Sequence, residues 1–176
     1  MDTLFLDRDG VINIRKPGKY ISRWMDFHYT EKALLAIVEC SKIFQRIIVV
    51  TNQQGIGKQL MTEEALISIH TQLLKDVAEK GGNIAAIYYC PHLANTGCDC
   101  RKPNIGMGRK AVEDFPDINF SQSVMVGDSR SDMEFGHRLG MQNILILGKG
   151  EYVPESLFAF ACDNLWDFWL KKSKLK

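Results

Sequence analysis

Two aspartates stand two residues apart near the start of the chain, directly after the apolar run 3–6 (TLFL). A carboxylate at the end of a rigid, buried strand is held in place, so Asp7 could act as a nucleophile. By strand alternation Asp9 points to the same side, where a second carboxylate can transfer protons. The neighbouring Gly10 also fits a simple turn, but a turn alone does not require two carboxylates.

Further polar groups follow other apolar runs of the chain; they are Thr51 and Asn52, Lys102, and Asp128. If Asp7, Asp9 and Asp128 converge, their charges repel by roughly a few kcal/mol at separations of about 4 Å. A hard cation with oxygen ligands removes this repulsion, and Mg²⁺ is the expected ion. A lysine and a hydroxyl beside such a metal can stabilise a transferring phosphoryl group. The indicated reaction is phosphoryl transfer through an aspartyl-phosphate.

The elements that must position these groups alternate along the chain. Short, nearly continuous apolar runs predict strands at 3–6, 46–51, 85–90, 123–127 and 143–148. Helical spacing predicts helices within 30–44, 62–80, 105–114 and 129–139. This alternation predicts an α/β fold, a three-layer α/β/α sandwich around a mostly parallel, Rossmann-like sheet. In such sheets the site lies at the carboxyl ends of the strands.

Length and composition indicate an ordinary globular protein. The 176 residues are 45% apolar and 24% charged, with a net charge of +1. We expect one domain over residues 1–170 and a basic tail over 171–176. The charge gives no reason to expect nucleic acid as a partner. No apolar run reaches the roughly 20 residues of a membrane helix, and no signal peptide is evident. A cytoplasmic monomer with reduced thiols is therefore expected.

Four potential metal ligands crowd one short stretch: Cys90, His92, Cys98 and Cys100. Three thiolates and an imidazole suit tetrahedral Zn²⁺, and four protein ligands leave no open position, so the zinc is expected to be structural. A redox pair of Cys98 and Cys100 is the alternative, although Cys-x-Cys is not the usual redox spacing. The stretch runs directly into Lys102.

Four segments in this order resemble the motifs of the haloacid dehalogenase (HAD) superfamily phosphatases. They are DRDGVIN, VVTNQQG, CRKP and VMVGDSRSDM. The segment CPHLANTGCDCRKP is similar to the zinc-bearing loop of one branch of that superfamily. That branch contains the D-glycero-D-manno-heptose 1,7-bisphosphate phosphatases and the histidinol-phosphate phosphatases. The resemblance spans roughly residues 3 to 148 and implies a HAD fold.

The resemblance also implies a role for each motif residue. Asp7 would be the nucleophile, and Asp9 would protonate the leaving oxygen and then activate water. Asp7, Asp128 and the main-chain carbonyl of Asp9 would bind Mg²⁺. Thr51 and Lys102 would hold the phosphoryl oxygens.

Other positions carry weaker expectations. Arg101 matches the substrate-recognising arginine before the motif lysine, and Asp132 is expected to support Asp128. Asn52, Lys19 and Lys58 are further candidates for contacts with a small phosphorylated metabolite.

The chain has no room for a large cap domain, so loops must recognise the substrate. The loop 14–23 carries four cations, Arg15, Lys16, Lys19 and Arg23, which together favour a second anionic group and hence a sugar bisphosphate. The compact zinc loop, the GIGKQ turn and Ser129 instead resemble the histidinol-phosphate branch. The expected reaction is removal of the 7-phosphate of heptose 1,7-bisphosphate; histidinol phosphate and other sugar phosphates stay open. A non-catalytic binding protein is disfavoured, because every motif residue is present.

Overall fold

A computed structural model of the chain describes residues 2–16, 18–148 and 152–173. Across these residues the chain forms one six-stranded sheet with the strand order β3-β2-β1-β4-β5-β6. Every neighbouring pair of strands is parallel. The strands are β1 Thr3–Leu6, β2 Arg46–Asn52, β3 Ala86–Cys90, β4 Val124–Gly127, β5 Gln142–Ile146 and β6 Phe160–Cys162.

Helices cover both faces of this sheet. They are α1 Ala33–Cys40, α2 Glu63–Glu79, α3 Gly106–Asp114, α4 Arg130–Leu139 and α5 Leu165–Ser173. Leu4 and Leu6 share one core with buried residues of α1, α2 and α5, whereas Phe5 shares the other with residues of α3 and α4. Successive strand residues point to opposite faces of a sheet, so the two cores lie on its two sides. The predicted three-layer sandwich is confirmed.

Helix α1 is shorter than the helical pattern over 30–44 predicted. Lys32, which precedes it, adopts a left-handed conformation with φ of 54°, and a helix cannot continue through such a residue. Thr30 instead donates its hydroxyl to the carbonyl of Val11 at 2.7 Å. This bond ties the entry of α1 to the turn that follows β1.

Strand β6 and helix α5 were not predicted. A strand of three residues is too short to show a period, but its pairing with β5 lets α5 bury Phe168 completely. Helix α5 continues through Ser173, past the predicted domain boundary at residue 170. Residues 174–176 of the predicted tail lie outside the described residues.

No large cap domain interrupts the described part of the chain. Between β1 and α1 the described residues form a short 3₁₀ turn, Trp24–Asp26, and two isolated β-bridges that share Asn13. Within the same residues, no helix combines the length and apolar character that spanning a membrane requires.

Candidate active site

The sheet order places the ends of β2, β1 and β4 side by side. Leu6 pairs with Val49 of β2 and with Val126 of β4, and the amide of Asp7 donates to the Val126 carbonyl at 2.9 Å. The next polar residues of each strand, Thr51 among them, therefore meet at one edge of the sheet.

Lys102 lies at the centre of this edge and is 3% exposed. Its Nζ donates to Asp7 Oδ1 at 2.7 Å and to the carbonyl of Val50 at 2.6 Å, and it pairs with Asp132 Oδ1 at 2.5 Å. Burial alone lowers the pKa of this amine, but the attraction of Asp132 and Asp7 outweighs burial and raises it. The lysine is therefore charged and fixed against the predicted nucleophile.

Asp7, Asp128 and Asp132 form a cluster in which one carboxylate oxygen from each lies within 4.8 Å of the others. Burial and the neighbouring carboxylates raise the pKa of Asp7 to about 8, against the pull of Lys102. Burial and the charge of Asp132 similarly raise the pKa of Asp128 to about 7. One lysine does not balance three carboxylates, and their oxygens are the donors that Mg²⁺ prefers. The donor set therefore fits a hard divalent cation.

The carboxylate of Asp9 does not belong to this cluster, contrary to the prediction; Asp132 takes the third place. Strand β1 ends at Leu6, so strand alternation does not govern Asp9. Its two oxygens instead accept hydrogen bonds from three side chains, namely Arg8 at 2.9 and 2.8 Å, Asn13 at 2.9 Å and Gln53 at 2.7 Å. Burial raises the pKa of Asp9, but the Arg8 charge and these bonds dominate and lower it.

Gly10 allows the turn after β1 to approach Asp128. Its φ is 102°, and a Cβ placed there would lie 1.9 Å from Asp128 Oδ2. No side chain fits this position without displacing the carboxylate. On the solvent side, Arg15 Nη1 lies 3.7 Å from the same oxygen.

Thr51 and Asn52 end β2 in different roles. Thr51 is buried, and its hydroxyl accepts from Gln53 Nε2 at 2.8 Å. The Asn52 amide donates to the Lys102 carbonyl at 3.1 Å and accepts from the Lys102 amide at 3.0 Å. Asn52 was predicted to contact substrate, whereas here it fixes the backbone of the lysine.

Arg101 precedes that lysine and is half-buried. Its Nη1 is buried and has no hydrogen-bond partner in the described residues. Arg101 lines a cavity of about 120 Å³ together with Asn104 and the zinc-loop residues Ala94 and Gly97. Such a guanidinium nitrogen keeps a donor for an anionic ligand that reaches the cavity.

The cations of loop 14–23 do not all face the site. Lys16 and Arg23 both bind Asp26, at 3.0 and 3.1 Å. Lys19 is exposed, and Lys58 of the GIGKQ turn lies 5.6 Å from the ring of Tyr20. The predicted group of four cations is thus reduced, and Arg15 is the member paired with a carboxylate of the cluster.

The predicted zinc ligands converge. One ligand atom from each of Cys90, His92, Cys98 and Cys100 lies within 4.8 Å of the others. Cys100 Sγ is 3.0 Å from Cys90 Sγ and 3.1 Å from His92 Nδ1, and Cys90 Sγ is 3.5 Å from Cys98 Sγ. Atoms bound to one Zn²⁺ at about 2.0–2.3 Å stand at similar separations. Burial raises the pKa of Cys98, but the Arg101 backbone amide and the neighbouring sulfurs lower it to about 6, which favours the thiolate. The group fits tetrahedral zinc.

We expect purified protein to contain about one zinc per chain, because this cluster supplies the complete ligand set of a structural site. Cys98→Ser should lower the zinc content and the thermal stability, since zinc binding contributes to folding free energy. Cys40→Ser is the matched control, because burial raises the pKa of Cys40 to about 12 and its thiol stays neutral in α1. Elemental analysis of the three proteins checks this. Zinc-free protein from zinc-replete medium would contradict it.

Comparison with known proteins gives this fold and site a class. A family model described as HAD-hydrolase-like matches residues 99–167. The crystal structure of D,D-heptose 1,7-bisphosphate phosphatase from B. bronchiseptica, complexed with magnesium and phosphate, superposes with a TM-score of 0.89 over 100% of both chains at 27% identity. The fold is that of the HAD-like hydrolases, as the motifs indicated.

Two curated relatives narrow the class. The D-glycero-alpha-D-manno-heptose-1,7-bisphosphate 7-phosphatase of Mycobacterium bovis is 39% identical over 94% of this chain and 88% of its own length. The D-glycero-beta-D-manno-heptose-1,7-bisphosphate 7-phosphatase of Pseudomonas putida is also 39% identical, over 91% of this chain and 94% of its own. The chain belongs to this family of phosphatases within the HAD-like hydrolases.

Proposed function

We propose that the chain removes the phosphate at position 7 of D-glycero-D-manno-heptose 1,7-bisphosphate, through an aspartyl-phosphate on Asp7. The observation that carries this proposal is the cluster of Asp7, Asp128 and Asp132 around the buried Lys102. The cluster places a fixed carboxylate beside a cation at the open end of the sheet. The chain also belongs to a family of phosphatases, which supports the same reaction.

The reaction follows from the side chains at this edge. An oxygen of Asp7 bonds to phosphorus, the bond between phosphorus and the sugar oxygen breaks, and Asp9 gives that oxygen its proton. Asp9 then takes a proton from water, whose oxygen attacks phosphorus and releases inorganic phosphate, and Asp7 is regenerated. Lys102 and Thr51 hold the phosphoryl oxygens throughout. Mg²⁺, bound by Asp7, Asp128 and the main-chain carbonyl of Asp9, would shield the attacking carboxylate from the anionic phosphate.

The resting contacts of Asp9 suit the second half of this sequence. Four hydrogen bonds hold it ionised, which is the state that accepts a proton from water. Protonating the leaving oxygen requires the opposite state. A bound phosphate dianion supplies the shift, because a neighbouring negative charge raises the pKa of a carboxyl.

The second phosphate of the substrate would bind cations at the rim. Arg101 offers a buried nitrogen that has no hydrogen-bond partner among the described residues, and Arg15 lies near Asp128 on the solvent side. The zinc loop would hold Arg101 in place, since all four zinc ligands lie within the eleven residues before it. We further propose that the chain works as a single domain and in the cytoplasm.

A substrate panel tests this function. With Mg²⁺, kcat/KM for heptose 1,7-bisphosphate should exceed that for histidinol phosphate by about tenfold or more, because one additional charged hydrogen-bonding group is worth roughly 1.5–3 kcal/mol. Both anomers belong in the panel, because the two relatives with different anomers are equally similar to this chain. Release of phosphate from heptose 7-phosphate, compared with heptose 1-phosphate, identifies which ester is cleaved. A preference for histidinol phosphate would overturn the substrate, and inactivity on all esters would overturn the phosphatase.

A further inference from the structure

Arg8 lies between the two motif aspartates and is fully buried. Its Nη2 donates to both oxygens of Asp9, at 2.9 and 2.8 Å. Its Nε is buried and has no hydrogen-bond partner in the described residues. One guanidinium nitrogen therefore binds the carboxylate of Asp9, and within the described residues the guanidinium makes one further contact of hydrogen-bond length, through Nη1.

That contact is His70 of α2, sixty-two positions along the chain. Its Nε2 lies 3.2 Å from Arg8 Nη1, and its side chain is 6% exposed. Arginine has donors only, so Nε2 must be the acceptor and the ring must be neutral. The ring of Tyr89 packs beside it with 5.9 Å between centroids, which limits its freedom to turn.

We propose that His70 is a positioning residue for the phosphatase reaction, acting through Arg8 to orient the carboxylate of Asp9. The inference rests on the proposed function, in which Asp9 transfers the protons. Without the acceptor on α2, Nη1 loses its recorded partner and the planar guanidinium can rotate about its bonds. Both Asp9 oxygens are bound to the same nitrogen, so such a rotation moves the carboxylate.

Within the formation of the aspartyl-phosphate, the consequence depends on the leaving group, whereas the later attack of water needs Asp9 for every substrate. The attack of Asp7 depends on Lys102, whose recorded side-chain partners in the described residues are Asp7, Asp132 and the Val50 carbonyl. Proton delivery to the leaving oxygen depends on the position of Asp9. An alkoxide such as a sugar oxygen needs that proton, whereas an activated aryl oxide leaves without it.

Three variants test this. His70→Leu keeps the bulk and removes the acceptor. His70→Gln restores an acceptor, its Oε1, near the position of Nε2. Leu73→Ala is the control, a fully buried residue of the same helix whose truncation also destabilises the protein. Thermal melting of all three variants allows their losses of stability to be compared directly.

For His70→Leu we expect the single-turnover rate of leaving-group release, measured by rapid quench, to fall about tenfold on a sugar phosphate, a part of the roughly 10²–10⁴-fold that a positioned acid or base supplies. On 4-nitrophenyl phosphate the loss should stay within about threefold, and His70→Gln should recover most of the sugar-phosphate rate. Leu73→Ala should lower both rates in equal proportion or leave both unchanged. Equal losses on the two substrates in His70→Leu, or no recovery in His70→Gln, would overturn the inference. Inactive wild-type protein would instead overturn the phosphatase itself.

Discussion

Replacing Asp7 by asparagine is expected to lower the hydrolysis of every phosphate ester by roughly 10⁴-fold or more, the scale of losing an enzymic nucleophile. Asparagine has nearly the same shape but no anionic oxygen to attack phosphorus. Lys102 keeps Asp132 and the Val50 carbonyl as partners, so the fold should be retained. Steady-state rates on a sugar phosphate and an aryl phosphate measure the effect.

The opposite end of β1 provides the matched control. Asp2 precedes the strand, and its Oδ2 accepts a hydrogen bond from the backbone amide of Asn119 at 3.0 Å, far from the catalytic edge. Asp2→Asn should therefore leave the rate unchanged. Substantial activity of Asp7→Asn, measured in protein free of other phosphatases, would exclude Asp7 as the nucleophile.

Replacing Asp9 by asparagine should slow the hydrolysis of sugar phosphates by roughly 10²–10⁴-fold, the contribution of a positioned acid or base. The amide cannot give or take the proton, although it can keep part of the contact with Arg8. The formation of the aspartyl-phosphate from 4-nitrophenyl phosphate should suffer less, because that leaving group needs no proton. Rapid-quench measurement of nitrophenolate release in a single turnover isolates this step from the later attack of water.

Asn13→Ala is the comparison variant for Asp9. It removes the 2.9 Å bond to Asp9 Oδ1 but leaves the carboxylate present, so its loss should be much smaller than that of Asp9→Asn. Equal single-turnover losses on alkyl and aryl phosphates in Asp9→Asn would argue against proton transfer by this residue.

Five strands of the sheet could be predicted from the sequence because each of them is apolar over nearly its whole length. Strands buried on both faces show no alternation, so the runs at 46–51 and 123–127 stand out from the helical segments around them. Positions at strand ends then follow from sheet order alone. That reasoning placed Asp7, Thr51 and Asp128 at one edge, where the structure has them.

The directions of side chains beyond a strand end could not be predicted from the sequence. The alternation that predicted Asp9 beside Asp7 stops at Leu6, and the following turn aims the carboxylate at Gln53 and Arg8 instead. Asp132 entered the cluster for a different reason. It lies four residues after Asp128, at the start of α4, and the family resemblance implied only that it would support Asp128.

Contacts between residues that are distant in the sequence also could not be predicted. His70 reads as one more residue on the buried face of α2, and only tertiary packing brings it to Arg8. The sequence signal that could have indicated such a contact was Arg8 itself. An arginine between two carboxylates, directly after a buried strand, needs partners if it is buried. The contact of Asn52 with the Lys102 backbone could not be predicted either, because it joins residues fifty positions apart; the expected contact of Asn52 with substrate stays a prediction.

Asp132 binds Lys102 through one oxygen and caps α4 through the other. Its Oδ2 accepts from the backbone amide of Ser129 at 3.1 Å and from the Ser129 hydroxyl at 2.5 Å, while the Ser129 hydroxyl accepts from the Asp132 amide at 3.4 Å. Fraying of this first turn would break the cap and the ion pair between Asp132 and Lys102 together, leaving Lys102 with Asp7 and the Val50 carbonyl. Helix ends usually open independently of the rest of a protein, at low free energy. Here the opening of one helix end is thermodynamically coupled to the loss of one of the catalytic lysine's two ion pairs, so the turn and the catalytic edge form one cooperative unit.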